Sequence, residues 1–177
     1  MGFLRGDVSG LKQLDLFLRL FVVPFVVATI WIGVEARQNN SDYGELGMDN
    51  LTGIKYMVCV SAVSGGYALF GAVCLCLRWL LTKAWLFFVA DQILAYLMVT
   101  SVAAQGEFLY LAYNGDREVS WSEACGSYSK LCTRLRMALG VHVVAAACFL
   151  ALAVISGYRL FRRFEPPYVP STTSTGQ

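Results

Sequence analysis

Residues 84–106 read AWLFFVADQILAYLMVTSVAAQG, a run in which Asp91 is the one ionised side chain. At about 1.5 Å of rise per residue, such a run forms a helix of about 34 Å, enough to cross a hydrocarbon layer of about 30 Å. Lipid offers the backbone no hydrogen-bond partner, so only a helix or a closed barrel survives there, and the two-residue alternation of a barrel strand is absent. The stretch is predicted to be a transmembrane helix with one carboxylate inside it.

Working outward, three further apolar runs of sufficient length occur, at 14–34, 56–77 and 137–158. Composition agrees. The apolar share is 57% and the charged share 15% of 177 residues, whereas soluble domains carry about 25% charged residues. Too few polar groups remain to wet a globular surface. The expected fold is an all-α membrane protein, a four-helix bundle over 14–163, flanked by an N-terminal segment 1–13 and a tail 164–177. That tail contains Pro166, Pro167 and Pro170 and a Ser/Thr cluster, and a segment with so little apolar surface is expected to be disordered. The first run, with Val34-Glu35-Ala36 after it, loosely resembles a secretory leader. It is too long for one and is expected to be retained. Myristoylation is not expected, because Gly6 stands where Ser or Thr is required.

Charge sets the orientation. Segments 1–13, 78–83 and 159–177 hold seven Lys/Arg in 38 residues, against six in 51 for segments 35–55 and 107–136, a weak bias that places both termini in the cytosol. The sequons at Asn39 and Asn50 both fall in the first outer loop, which marks them as candidate glycosylation sites. Net charge is +2 with no basic run beyond Arg162-Arg163, so no nucleic-acid partner is expected. One His and no Cys/His cluster argue against a metal site.

An ionised group at a helix centre in lipid costs on the order of 2.5–3.5 kcal/mol unless it is paired or hydrated. Arg19 and Asp91 are the two clear cases. Counted from Leu14 and Ala84, they lie about 8 Å and about 10 Å inside the membrane on helices that run the same way. Opposite charges at one depth point to a salt bridge between spans one and three, with a bidentate Arg–carboxylate bond as the natural geometry. Two alternatives stand beside it. Asp15, four residues before Arg19, could hold the guanidinium at the interface; Asp91 could titrate within an ion or proton path. His142, on a small apolar face, reads as a hydrogen-bonded packing residue.

Cys125 and Cys132 share the second outer loop, on the oxidising side, and are expected to form a disulfide, free thiols being the alternative. Seven residues of helix span about 10 Å, too far for Cα atoms that must approach within about 7 Å, so the chain between them must turn back. Cys74 and Cys76 end span two, where they either pack or accept palmitate. Ser61/Gly65 and Ala62/Gly66 in span two, with Ala145, Ala146, Ala147 and Ala151 in span four, form small-residue faces that serve the bundle or a second copy. No phosphate loop, nucleophile elbow or zinc-protease motif is present, so neither catalysis nor a cofactor is expected.

Taken together, these residues resemble the plant Casparian strip membrane domain protein-like (CASP-like) family, related to the MARVEL four-span group. The resemblance covers about residues 12–163. It rests on Leu18-Arg19-Leu20, Asp91, Gly53-Ile54-Lys55-Tyr56 at the start of span two, and Trp121-x3-Cys125-x6-Cys132 before span four. It implies a plasma-membrane protein that oligomerises with itself and its relatives and forms scaffolds that localise secreted wall-modifying enzymes. Asn39–Leu51 departs from the pattern. It is short, acidic and, but for Tyr43, without aromatics, so Casparian strip formation itself does not follow from the resemblance.

Overall fold

The computed structural model describes residues 3–36, 38–40, 44–46, 51–76, 84–115 and 124–161. Four long helices, α1 (Phe3–Val34), α2 (Thr52–Cys76), α3 (Ala84–Asn114) and α5 (Ser129–Phe161), are each apolar enough to cross a membrane. A single turn, α4 (Ala124–Ser127), precedes α5, and two three-residue strands, β1 (Gln38–Asn40) and β2 (Gly44–Leu46), form an antiparallel hairpin between α1 and α2. The hairpin is an addition to the all-helical expectation. The helices form a four-sided bundle in which α1 packs on α2 and α5, α3 packs on α5, and α2 meets α3 along the sparsest seam.

Three of the helices outrun by two turns or more the apolar stretches that announce them, and α2 starts one turn early, at Thr52. Helix α1 begins eleven residues before Leu14, α3 continues to Asn114 instead of stopping near Gly106, and α5 begins at Ser129 instead of near Met137. Outside hydrocarbon a helix needs only one apolar face, and the extensions of α3 and α5 have one. Leu109 and Ala112 on α3 and Leu131, Cys132 and Leu135 on α5 recur every three or four residues and are buried, the spacing of a single helical stripe. Together with Ala36, Ile54 and Tyr128 most of them close a second core beyond the main one. Gly115 ends α3 with φ 65° and donates its N–H to the Leu111 carbonyl at 2.8 Å, a left-handed cap that glycine adopts without strain.

Inside the bundle the main core gathers Val22, Val26, Met98, Phe149 and Leu152, all nearly or fully buried. The two small-residue pairs of α2 separate here. Ser61 and Gly65 are buried, and a Cβ on Gly65 would stand 2.9 Å from Val26 of α1, so this pair faces the bundle interior, whereas Ala62 and Gly66 are exposed and a Cβ on Gly66 would meet nothing within 4 Å. Ala145 and Ala146 are buried while Ala147 is exposed, so most of the α5 small face serves intramolecular packing.

Candidate functional site

One layer of the bundle, near the end that carries both termini, is ionic. Arg19 is 1% exposed and Asp91 fully buried. The Arg19 Nη2 group donates to both carboxylate oxygens of Asp91, at 2.9 Å each. The Arg19 Nε group donates to Asp15 Oδ1 at 3.0 Å, one helical turn back on α1. The pairing with Asp91 and the local contact with Asp15 thus occur together, and the guanidinium is buried between them and not held out at the interface. The bond to Asp91 runs through Nη2 alone and is not the two-nitrogen fork expected from the pairing: Nε is engaged by Asp15, and Nη1 has no hydrogen-bond partner among the described residues.

Each remaining helix adds a group. From α2, the Tyr67 hydroxyl lies 2.7 Å from Asp91 Oδ1, to which it donates, and 3.3 Å from the Phe87 carbonyl. The rings of Tyr67 and Phe87 also cover the guanidinium, with centroids 5.1 and 5.8 Å from Cζ, a placement in which the negative ring face attracts the cation. From α5, Arg159 Nη1 donates to Asp15 Oδ2 at 2.6 Å. Two carboxylates and two guanidinium groups therefore alternate through the layer, which is neutral as a whole. Such balance is what makes full burial affordable, since a lone charge there would neutralise or force the bundle open. Gly71 of α2 completes the enclosure. A Cβ there would lie 2.7 Å from Arg19 Nη1 and 3.2 Å from Cζ.

Farther from the termini lies a second polar layer. His142 of α5, fully buried, holds the Ser61 hydroxyl of α2 at Nδ1 and the Ser101 hydroxyl of α3 at Nε2, each at 3.2 Å. One ring nitrogen donates and the other accepts, so two hydroxyls satisfy one neutral ring. One turn along α3, Gln105 is also fully buried, and its amide has no partner among the described residues. Between the layers stand apolar residues, with Met98 on α3 between Asp91 and Ser101, and Phe149 on α5 between His142 and Arg159.

At the opposite end from the ions, Cys125 and Cys132 form a disulfide with Cα atoms 5.8 Å apart. The chain turns back between them because the helix breaks at Tyr128, between α4 and α5. The two cysteines form a small buried cluster with Ala112 of α3. Arg134 closes the same end by donating from Nη1 to the Glu35 carbonyl at 2.6 Å, just past the end of α1.

Other sequence candidates do not join a site. Cys74 is a buried free thiol, which shields it from acylation in the folded bundle, and the Cys76 side chain lies outside the described residues. Asn39 falls in β1 opposite Glu45; Asn50, Trp121 and the tail 164–177 lie outside the described residues. Among the described residues no three His, Cys, Asp or Glu side chains converge as a metal site would require.

Sequence reasoning missed Tyr67, Gly71 and Arg159. The first two carried a signal, a tyrosine and a glycine one turn apart within a span. Arg159 carried none. It counts as a flanking charge until the fold brings it 144 positions back to Asp15.

The Casparian strip membrane protein domain model matches residues 8–165, an interval that contains Asp15, Arg19, Tyr67, Asp91 and Arg159. The chain belongs to that family. Among curated plant proteins it is 59% identical to CASP-like protein 2D1 of Populus trichocarpa over 161 residues, 91% of this chain and 95% of the relative. It is 52% identical to CASP-like protein 2D1 of Ricinus communis over 94% of this chain and 96% of that protein, and 51% identical to that of Glycine max over 92% and 88%. No solved structure matches. The CASP-like bundle described here is thus a four-span membrane protein whose ionic layer joins all four spans.

Proposed function

We propose that this CASP-like chain is a non-enzymatic scaffold of the plasma membrane, with both termini in the cytosol, that assembles with itself and with related four-span proteins to organise membrane domains. Secreted wall-modifying enzymes are its proposed clients. The observation that carries the reading is the state of Asp91, which is fully buried, accepts three hydrogen bonds and is charge-balanced by Arg19. A group so saturated holds helices together. An ion path would need Asp91 to meet water and exchange partners, yet Met98 and Phe149 fill the space toward the His142 layer. Apolar side chains cover the outside of the bundle, Phe17, Trp31, Val63, Phe70 and Val154 among them, the surface of a protein that works within lipid.

The reading is tested by photobleaching a tagged chain in the plasma membrane of living plant cells and by reconstituting the purified protein into vesicles. Slowly exchanging patches, with no proton or cation flux above that of empty vesicles, are the expected results. Free diffusion as a single copy, or a flux abolished by Asp91→Asn, would overturn it.

A further inference from the structure

Tyr96 sits where a tyrosine hydroxyl has no evident use. It lies twelve residues into α3 from Ala84, about 18 Å into a hydrocarbon layer of about 30 Å, close to the midplane. Its side chain is 71% exposed, pointing away from the bundle, and its hydroxyl makes no hydrogen bond among the described residues. From that depth the phenol cannot reach either interface. Lipid tails offer neither donor nor acceptor, and a hydroxyl without a partner in an apolar medium is costly. One turn farther, Thr100 shows what a satisfied neighbour looks like. Its Oγ1 is 2.9 Å from the Tyr56 hydroxyl of α2 and donates to the Leu97 carbonyl at 3.0 Å.

We infer that the outward face of α3 centred on Tyr96 is the contact through which a second copy of this chain docks. The inference rests on the self-assembly proposed above and adds its location. Complementarity selects the occupant. All copies insert with one orientation, so the partner's α3 runs parallel and presents its own tyrosine hydroxyl at the same depth. A hydroxyl both donates and accepts, so where two meet at a two-fold axis along the membrane normal one donates to the other, and the pair makes a hydrogen bond that neither finds in lipid. The same face is small on the next turns, where Thr100, Ala103 and Ala104 are exposed, and small side chains let two helix backbones approach in lipid.

The test uses the full-length protein in vesicles, in a Cys59→Ser, Cys76→Ser background that keeps the Cys125–Cys132 bridge. Single cysteines replace Tyr96 on α3 and, at similar depth and also exposed, Val27 on α1, Val63 on α2 and Leu150 on α5. Oxidation is expected to cross-link copies through position 96 and not through the other three. Tyr96→Phe, which keeps the ring, is expected to weaken association about threefold, the effect of one interhelical hydrogen bond in lipid, while the monomer melts as before. Assemblies of normal size that cross-link at 27, 63 or 150 instead of 96 would overturn the inference and leave self-assembly standing. A wild-type chain that stays monomeric would overturn both.

Discussion

Gly71 on α2 stands so close to Arg19 on α1 that any side chain there would collide with the guanidinium, a Cβ falling 2.7 Å from Nη1. The far end of an arginine ordinarily swings aside. This one cannot, because Nε is held by Asp15 and Nη2 by Asp91. Gly71→Ala is therefore expected to destabilise the bundle by about 1–3 kcal/mol, the range for overpacking a filled interior. Gly66→Ala, one turn away in open space, is expected to be neutral or to gain about 0.5–1 kcal/mol from the helix preference of alanine over glycine. Thermal unfolding of the two variants in one detergent gives the comparison.

The His142 layer makes a second prediction. His142→Ala leaves the Ser61 and Ser101 hydroxyls buried without their partner and opens a cavity among three helices, a combined loss of about 2–4 kcal/mol. Adding Ser61→Ala and Ser101→Ala removes the stranded hydroxyls, so the triple variant is expected to melt above the single one. Equal melting temperatures would mean that the hydroxyls find other partners and that the cavity alone sets the loss.

The four spans and the charges inside them are legible in the sequence because lipid leaves a chain few choices. An apolar run of helical length has to be a helix, and an Arg and an Asp at one depth have to be answered for. Helix ends are not legible in the same way. Leu131 and Leu135, or Leu109 and Ala112, are ordinary residues until two extensions lie side by side beyond the hydrocarbon, where an amphipathic stripe replaces hydropathy as the signal. The ionic layer was half visible. Asp15 and Arg19 are a local pair, but Tyr67, Gly71 and Arg159 take their roles from the angular position of each helix in the bundle, which no single run of residues records.

The disulfide end invites a chemical measurement. Mass spectrometry of protein taken from the cell surface without reduction is expected to find Cys125 linked to Cys132. Opening this short loop by Cys125→Ser is expected to cost about 2–3 kcal/mol in chain entropy, and to loosen the packing of α3 against α4 and α5, where Ala112 clusters with the two cysteines. Free thiols at both positions in protein alkylated at harvest would reject the bridge.

Orientation is checked independently. A tag after Gln177 is expected to resist protease in intact cells and to be cut only after permeabilisation. Cleavage from outside would invert the topology, move the cysteines to the reducing side and remove the reason for their pairing.

The central claim is that Arg19 and Asp91 are a dry structural pair, and a double-mutant cycle tests it most directly. Arg19→Leu leaves Asp91 without a counter-charge, with only the Tyr67 hydroxyl still donating to it, and Asp15 with Arg159 alone. Asp91→Leu leaves Arg19 with Asp15, so it is expected to be the milder of the two, each costing on the order of 3–5 kcal/mol as broken buried pairs do. The double Leu variant retains the balanced Asp15–Arg159 pair and is expected to recover part of that loss. Unfolding free energies of the four proteins, measured in one detergent, decide the matter. Recovery in the double variant is the predicted result; single variants as stable as the wild type, or a double variant at the sum of the two losses, would contradict it.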